Sequence, residues 1–243
     1  MGAYYFLTCL LPSLPAALGE PLSLPFPEVS RTARRYIEPA DEALLRAHLS
    51  VIDAANWESL EHGRELFIEG GVVSREEMEI QKNLPDFIRT FLGEKERGIR
   101  RFHIHDRLWE LCYEALLSRA EEAGCRYLLD YVPWEIELRN RLTALRLRQS
   151  GRNADEHVIP SGIPDMDFTA LLAPLEGLQS PLEAERYLDS KRLRHIFHCE
   201  GSDPFSLDAL LAYLSRAWIY DRWARLQAPY DMNTFYTAEV KRG

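Results

Sequence analysis

The sequence has few lysines and cysteines, and several common catalytic signatures are absent from it. Its 25 arginines stand against 4 lysines, and its 38 acidic residues give a formal net charge of −9. That acidity argues against general binding of nucleic acid by the whole chain. No G-x-x-x-x-G-K-[ST] loop occurs, so we do not expect the chain itself to hydrolyse nucleotides. No G-x-G-x-x-G or G-x-S-x-G motif points to a dinucleotide or hydrolase site.

The four cysteines lie far apart and form no C-x-x-C pair, which predicts reduced thiols and a cytoplasmic location. The most apolar stretch, near the N-terminus, has no basic residues before it. Pro12 and Pro15 interrupt this stretch well short of the roughly 20 residues that span a bilayer. We therefore expect no export signal and no direct membrane insertion. Residues 4–11 are interpreted as a buried strand or part of an extended arm.

The composition predicts a mainly α fold. Residues 1–40 carry six of the 14 prolines and are expected to form an extended arm packed on the body. Residues 41–243 are expected to form a helical domain of two or three quasi-repeats, at about 41–90, 100–175 and 180–243. Asp41 is a candidate N-cap, and Gly70-Gly71 is expected to end a helix that includes "ELFIE". Ser74 with Glu77, and Ser180 before Pro181, have the pattern of helix starts.

A short motif recurs in the first two units. An isoleucine precedes an acidic residue, an asparagine follows three positions later, and glycine comes further on. These motif residues are Asp53, Asn56, Gly70 and Gly71 in the first unit and Glu137, Asn140 and Gly162 in the second. In the third unit Arg222-Trp223 replaces Asn56-Trp57. An acid and an asparagine one turn apart share a helix face, from which they can bond a neighbouring helix end or loop.

The second unit also contains an apolar seam and a basic end. Trp134, Leu138, Leu142 and Leu145 follow helical spacing and predict a buried stripe. Arginines concentrate towards the C-terminal end of the same helix, where they complement the helix dipole.

The motif resembles the repeats of the C subunits of V-type ATPases, a family related to the eukaryotic d subunits. There the approximate pattern is Ile-Asp-x-x-Asn-x-x-x-x-Leu-Arg, followed by Gly-Gly. The whole chain looks still more like a bacterial family of uncharacterised proteins encoded beside V-type ATPase subunits. The segments that carry this resemblance are "YYFLTCLLPSLPAALGEPLS", "NWESLEHGRELFIEGG" and "LLAYLSRAWIYDRWARL".

The resemblance implies a non-catalytic subunit or accessory factor, a central-stalk adaptor that couples the shaft to the membrane ring. Its expected partners are the other V-type ATPase subunits, through which it would be attached to the membrane, and no cofactor is expected. Arginine is suited to pairing with carboxylates at interfaces. We expect four arginines to be divided between intrachain pairs and partner contacts: Arg139, Arg141, Arg146 and Arg148.

Two other functions fit parts of the sequence. A metal-binding hydrolase could use the clusters His103/His105 and His195/His198, because an H-x-x-H pair shares a helix face. Alternatively, residues 139–152 contain five arginines and no acidic residue, which is a local basic run of the kind that binds nucleic acid. The acidity of the chain and the lack of aromatics in this run argue against the second alternative.

Overall fold

The described part of the computed structural model is almost entirely helical. It comprises residues 4–98, 104–149, 151, 153, 157–162, 166–178 and 180–227. Its helices are α1 (Tyr5–Leu10), α2 (Phe26–Tyr36), α3 (Glu42–Glu61), α4 (Arg75–Glu79), α5 (Asp86–Glu96), α6 (Ile104–Ala123), α7 (Arg126–Gln149), α8 (Thr169–Leu172), a 3-10 turn (Ala173–Gly177), α9 (Pro181–Cys199) and α10 (Leu207–Gln227). These ranges contain no β-strand, and the mainly α prediction is confirmed. None of these helices is long and apolar enough to cross a bilayer. All four cysteines are unpaired.

The N-terminal segment differs from its prediction. The strand expected at residues 4–11 is wrong, because residues 5–10 form α1, and α2 lies within the region expected to be extended. So short a helix is not stable alone and depends on its packing. Leu7 is buried against Leu210 of α10, and the Tyr4 N–H donates to the Phe205 carbonyl at 3.0 Å. The Tyr4 hydroxyl also donates to Asp41.

Helix α2 is attached to the last helix through its first turn. The Phe26 N–H donates to the Asp221 carboxylate of α10 at 3.0 Å, across 195 positions of sequence. That N–H belongs to the first helical residue and has no partner within α2, so Asp221 satisfies an otherwise orphaned donor. Phe26, Val29 and Ala33 then bury one face of α2 in the core.

Helix α3 begins where the sequence predicts a helix, and it ends at Glu61. Asp41 occupies the N-cap position, yet its side chain makes no capping bond. It instead accepts a hydrogen bond from the Tyr4 hydroxyl. The prediction that "ELFIE" is helical is wrong, because α3 ends at Glu61 and residues 64–68 are non-helical. The capping box of Ser74 and Glu77 is confirmed, and the Ser180 side chain caps α9.

Two apolar clusters hold the long helices together. The larger cluster joins residues of α2, α3, α6, α7, α9 and α10, and the second fills the space between α3, α4, α5 and α6. The predicted seam on α7 is buried at Trp134 and Leu138, which pack against Phe168 and Leu188, with Leu142 partly buried beside them. These contacts arrange the long helices around a central cleft.

Candidate functional site: asparagine clamps and a central cleft

Asn56 and Asn140 make the same pair of hydrogen bonds. The Asn56 amide donates to the Ile68 carbonyl at 2.8 Å and accepts from the Ile68 N–H at 2.7 Å. The Asn140 amide donates to the Ile159 carbonyl at 2.8 Å and accepts from the Ile159 N–H at 3.0 Å. Each asparagine satisfies both backbone groups of one residue in a segment that returns along its helix. We call these two arrangements the asparagine clamps.

The acidic residues of the two motifs do different work. Asp53 is fully buried, and its carboxylate accepts from the N–H groups of Val72 and Val73 at 3.0–3.2 Å. Glu137 instead accepts from Arg141, one turn further along α7, at 2.8 Å. The first acid therefore fastens a loop to its helix, whereas the second forms an ion pair within its own helix.

The glycines also differ between the motifs. A Cβ at Gly71 would lie 2.2 Å from an Asp53 carboxylate oxygen, and a Cβ at Gly70 would lie 2.7 Å from the ring of Phe26. Gly70 has φ +105°, a conformation that L side chains rarely adopt. Gly162 has φ +71°, but nothing lies within 4 Å of its would-be Cβ. Neither position ends a helix: both follow the clamped segment, so the prediction that glycine terminates a helix there is wrong.

Burial changes the chemistry of Asp53. Loss of solvation raises the pKa of this carboxyl to about 7, although the Val72 and Val73 N–H groups and the Arg34 guanidinium oppose the rise. The first motif thus contains a buried group that titrates close to neutral pH.

A cleft of about 500 Å³ lies between α3, α6, α7, α9 and α10, with Phe26 of α2 also in its lining. This volume is within the range of small-ligand sites, roughly 300–1,000 Å³. Its apolar lining includes Leu49, Leu116, Val132, Leu188 and Leu214, and many charged and polar side chains share the wall with them. The cleft is therefore a concave space bounded by helices, with a mixed apolar and charged lining.

Arg192 is central to the charged side of the cleft. Its guanidinium contacts both oxygens of Glu135 at 2.8–3.0 Å and reaches Asp189 at 3.1 Å. Burial alone would lower the pKa of Arg192, but the adjacent Glu135 carboxylate raises it above its ordinary value. The buried Asp189 also accepts from the Trp223 indole N–H at 2.6 Å and from Arg222. These charge-assisted bonds join α7, α9 and α10 and stiffen that wall.

Another polar group in the cleft wall is a histidine–serine pair. Burial lowers the pKa of His48 to about 4, so the imidazole is neutral near pH 7. Its Nε2 lies 3.2 Å from the Ser215 hydroxyl, which donates to the Leu211 carbonyl and accepts from Tyr127. Among the described residues the His48 Nδ1 atom has no hydrogen-bond partner. The Ser215 hydroxyl thus contacts three neighbours and links α10 to α3 and α7.

Comparison with known proteins places this fold in a family. Residues 1–237 match the family described as "Protein of unknown function (DUF2764)". The chain belongs to the DUF2764 family. No curated protein and no solved structure matches it. The DUF2764 match spans both asparagine clamps and the helices that line the cleft.

In this DUF2764 chain the four predicted arginines differ in their contacts and in the exposure of their side chains. Arg139 donates to Asp106 at 3.0 Å and lies over the Trp109 ring, 5.1 Å from its centroid. Arg141 bonds Glu137. Arg146 is exposed and lies 3.8 Å from Glu185, and Arg148 is exposed. The first two arginines are thus engaged within the chain, while the last two point to solvent near one end of α7.

The two predicted histidine clusters do not form one site among the described residues. His105 lies beside Glu58 and His62, and this is the one group of three potential metal ligands within the described ranges. His195 stacks on Trp134 with ring centroids 4.1 Å apart, and His198 is exposed. His103 lies outside the described residues.

Sequence reasoning missed most of the polar groups of the DUF2764 cleft. Glu135, Asp189 and Arg192 belong to no motif, because their partners come from different helices. Glu58 and His62 have i, i+4 spacing, which is a usable signal for two ligands on one helix face. His105 is the only one of these residues that the sequence singled out.

Proposed function

We propose that this protein is a non-catalytic subunit or accessory factor of a bacterial V-type ATPase, with the central cleft serving as a socket for the end of the shaft. The resemblance of its repeated motif to the C subunits of these ATPases supplies the partner. The asparagine clamps supply the mechanical argument: each fixes a return segment against α3 or α7, and both helices line the cleft.

A socket that transmits torque must resist deformation, and buried polar bonds make these walls stiff. Each clamp satisfies two backbone groups with one side chain, so displacing the segment would leave both groups and the amide without partners. Arg192 of α9 bonds both Glu135 of α7 and Asp189 of its own helix, which ties α7 to α9. The helices that line the cleft would therefore resist bending when a partner applies force to them.

The open end of the cleft offers charges that a partner could use. Arg146 and Arg222 lie 3.8 and 3.6 Å from Glu185, and all three side chains are more than two-fifths exposed. The exposed Arg146–Glu185 pair contributes little to stability, so Arg146 can exchange its partner at small cost, whereas Arg222 also bonds the buried Asp189. Acidic side chains on an incoming helix would pair with Arg146 at the rim of the cleft, because most of the apolar side chains in the cleft wall are buried.

Affinity purification from the native host tests this proposal. The tagged wild-type chain is expected to bring down other V-type ATPase subunits. Charge reversal of the two exposed arginines at the C-terminal end of α7, R146E with R148E, is expected to reduce their recovery strongly. The control is R119E, which reverses an exposed arginine on α6 outside the cleft. Unchanged recovery with the double variant would show that these arginines do not contact the partner. If the wild type brought down no V-type ATPase subunits, the proposed function would be wrong.

A further inference from the structure

A second group of polar side chains lies beside the cleft, where the end of α3 meets the start of α6. Glu58 and His62 are one turn apart on α3, and His105 approaches from α6. One ligand atom of each residue lies within 4.8 Å of the corresponding atoms of the other two. The two imidazole rings are 4.4 Å apart between centroids. A single ion could therefore contact all three side chains after small rotations.

Neighbouring residues orient two of these three side chains. The Trp109 indole N–H donates to one Glu58 oxygen at 2.7 Å, and the other Glu58 oxygen lies 4.0 Å from the His62 Nε2 atom. One ring nitrogen of His105 lies 3.1 Å from the Glu61 carboxylate, which also accepts from Lys95 at 2.7 Å. A carboxylate bonded to a ligand histidine is the usual support in metal sites, where it holds the ring in one orientation.

The position of the group also favours a cation. His62 is the C-cap residue of α3, where the helix dipole places partial negative charge. His62 is exposed, and Glu58 and His105 are half-buried, so an ion has access from solvent. Two imidazoles and one carboxylate are ligands typical of Zn²⁺ and similar transition metals, whereas Mg²⁺ and Ca²⁺ favour oxygen ligands alone.

We propose that Glu58, His62 and His105 form a binding site for a divalent transition-metal ion of the Zn²⁺ type, which joins α3 to α6. With three protein ligands, a fourth position is left for water or for a group from a partner. The site differs from the one expected from the sequence, since it draws on Glu58 and His62 and does not use His195 or His198. Glu58 and Trp109 also line the central cleft, so the ion would sit at its margin.

Zn²⁺ titration of the full chain, stripped with a chelator and kept reduced, tests the site. We expect one ion per chain, with affinity falling at acid pH because protons compete with the metal for the ligand atoms. H62A should weaken binding by at least the roughly 10- to 100-fold that loss of a supporting residue costs in metal sites. Its side chain is exposed, so circular dichroism should show an unchanged fold. H198A, which removes an exposed histidine elsewhere, should bind Zn²⁺ like the wild type.

Co²⁺ replaces Zn²⁺ as a spectroscopic probe and identifies the ligand type. We expect visible d–d bands stronger than those of free Co²⁺, no thiolate-to-metal charge transfer, and loss of the added d–d intensity in both H62A and E58Q. Any of three results would overturn the proposal: no Zn²⁺ binding by the wild type, equal affinity in H62A, or a thiolate band showing that cysteine is the ligand.

Discussion

The two asparagine clamps look alike, but they fasten segments in different surroundings. In the first, the clamped Ile68 is half-buried, and Asp53 and Gly71 complete a tight second attachment a few residues later. In the second, the clamped Ile159 is buried, and no crowded glycine accompanies it. The asparagine amide therefore has the same structural role in both motifs. The roles of the acidic residue and the glycine differ between the two loops.

The largest expected contrast is in pH dependence. The folded state raises the pKa of Asp53 from 3.8 to about 7, so it binds the proton more tightly than the unfolded state does. Stability contributed by this group is complete below pH 4 and is lost as the pH rises towards 7, by up to about 4 kcal/mol. Urea denaturation from pH 4 to 8 should show this loss as a difference in slope between the wild type and D53N. The buried His48, whose pKa is lowered to about 4, gives both proteins an opposite rise in stability between pH 4 and about 6.5. E137Q is the control and should keep the wild-type slope; equal slopes in D53N and the wild type would assign the loss to another group.

Removing each clamp should lower the free energy of unfolding by a different amount, because the two clamped residues differ in burial. N140A leaves the N–H and carbonyl of a buried residue without partners and should lower the free energy of unfolding by about 3 kcal/mol. N56A should cost about half as much, because water can reach the half-buried Ile68. Denaturant titration of both variants measures the difference. Equal losses would show that burial does not set the contribution of the clamp.

The glycines should differ in the same experiment. G71A places a methyl group against the Asp53 carboxylate and should destabilise the protein by about 2–3 kcal/mol. G162A meets open space, so only its positive φ opposes the substitution, at about 1 kcal/mol. Combining G71A with D53A removes the clash and should restore part of the lost stability. If the double variant were no better than the sum of the single ones, crowding by Asp53 would not be the cause.

The smallest effect should come from the second acid. Glu137 pairs with Arg141 at i, i+4, and the arginine is well exposed, so E137Q should change the free energy of unfolding by about 0.5 kcal/mol. Thermal denaturation in low and high salt measures it, since salt should reduce the difference. A loss as large as that of N140A would mean that Glu137 holds the loop after all.

Local signals in the sequence predicted local structure well. Ser74 with Glu77 and Ser180 before Pro181 marked helix starts because capping is decided within four residues. The matching spacing of Asn56 and Asn140 also marked two positions at which the structure forms the same pair of hydrogen bonds. What these asparagines bond could not be read in advance, since the clamped residues lie 12 and 19 positions further along the chain.

The failures came where distant contacts outweigh local preference. Residues 4–11 have the composition of a strand, yet they form a helix because Leu7 packs on α10. "ELFIE" has good helix formers, but Asn56 bonds both the N–H and the carbonyl of Ile68. These two backbone groups are then not available to a helix, and the segment is non-helical. The charges of the cleft were equally hidden, because Glu135 and Arg192 are 57 positions apart.

The bond between Phe26 and Asp221 has a consequence during synthesis. The Phe26 amide is made well before the Asp221 carboxylate that it bonds, which follows 195 residues later. At about 5–20 residues per second, α2 waits some 10–40 seconds before its first turn can be completed. Until then the apolar face of α2 lacks the last helix that covers it, and a nascent chain stalled before α10 is the form in which we expect chaperones to hold this protein.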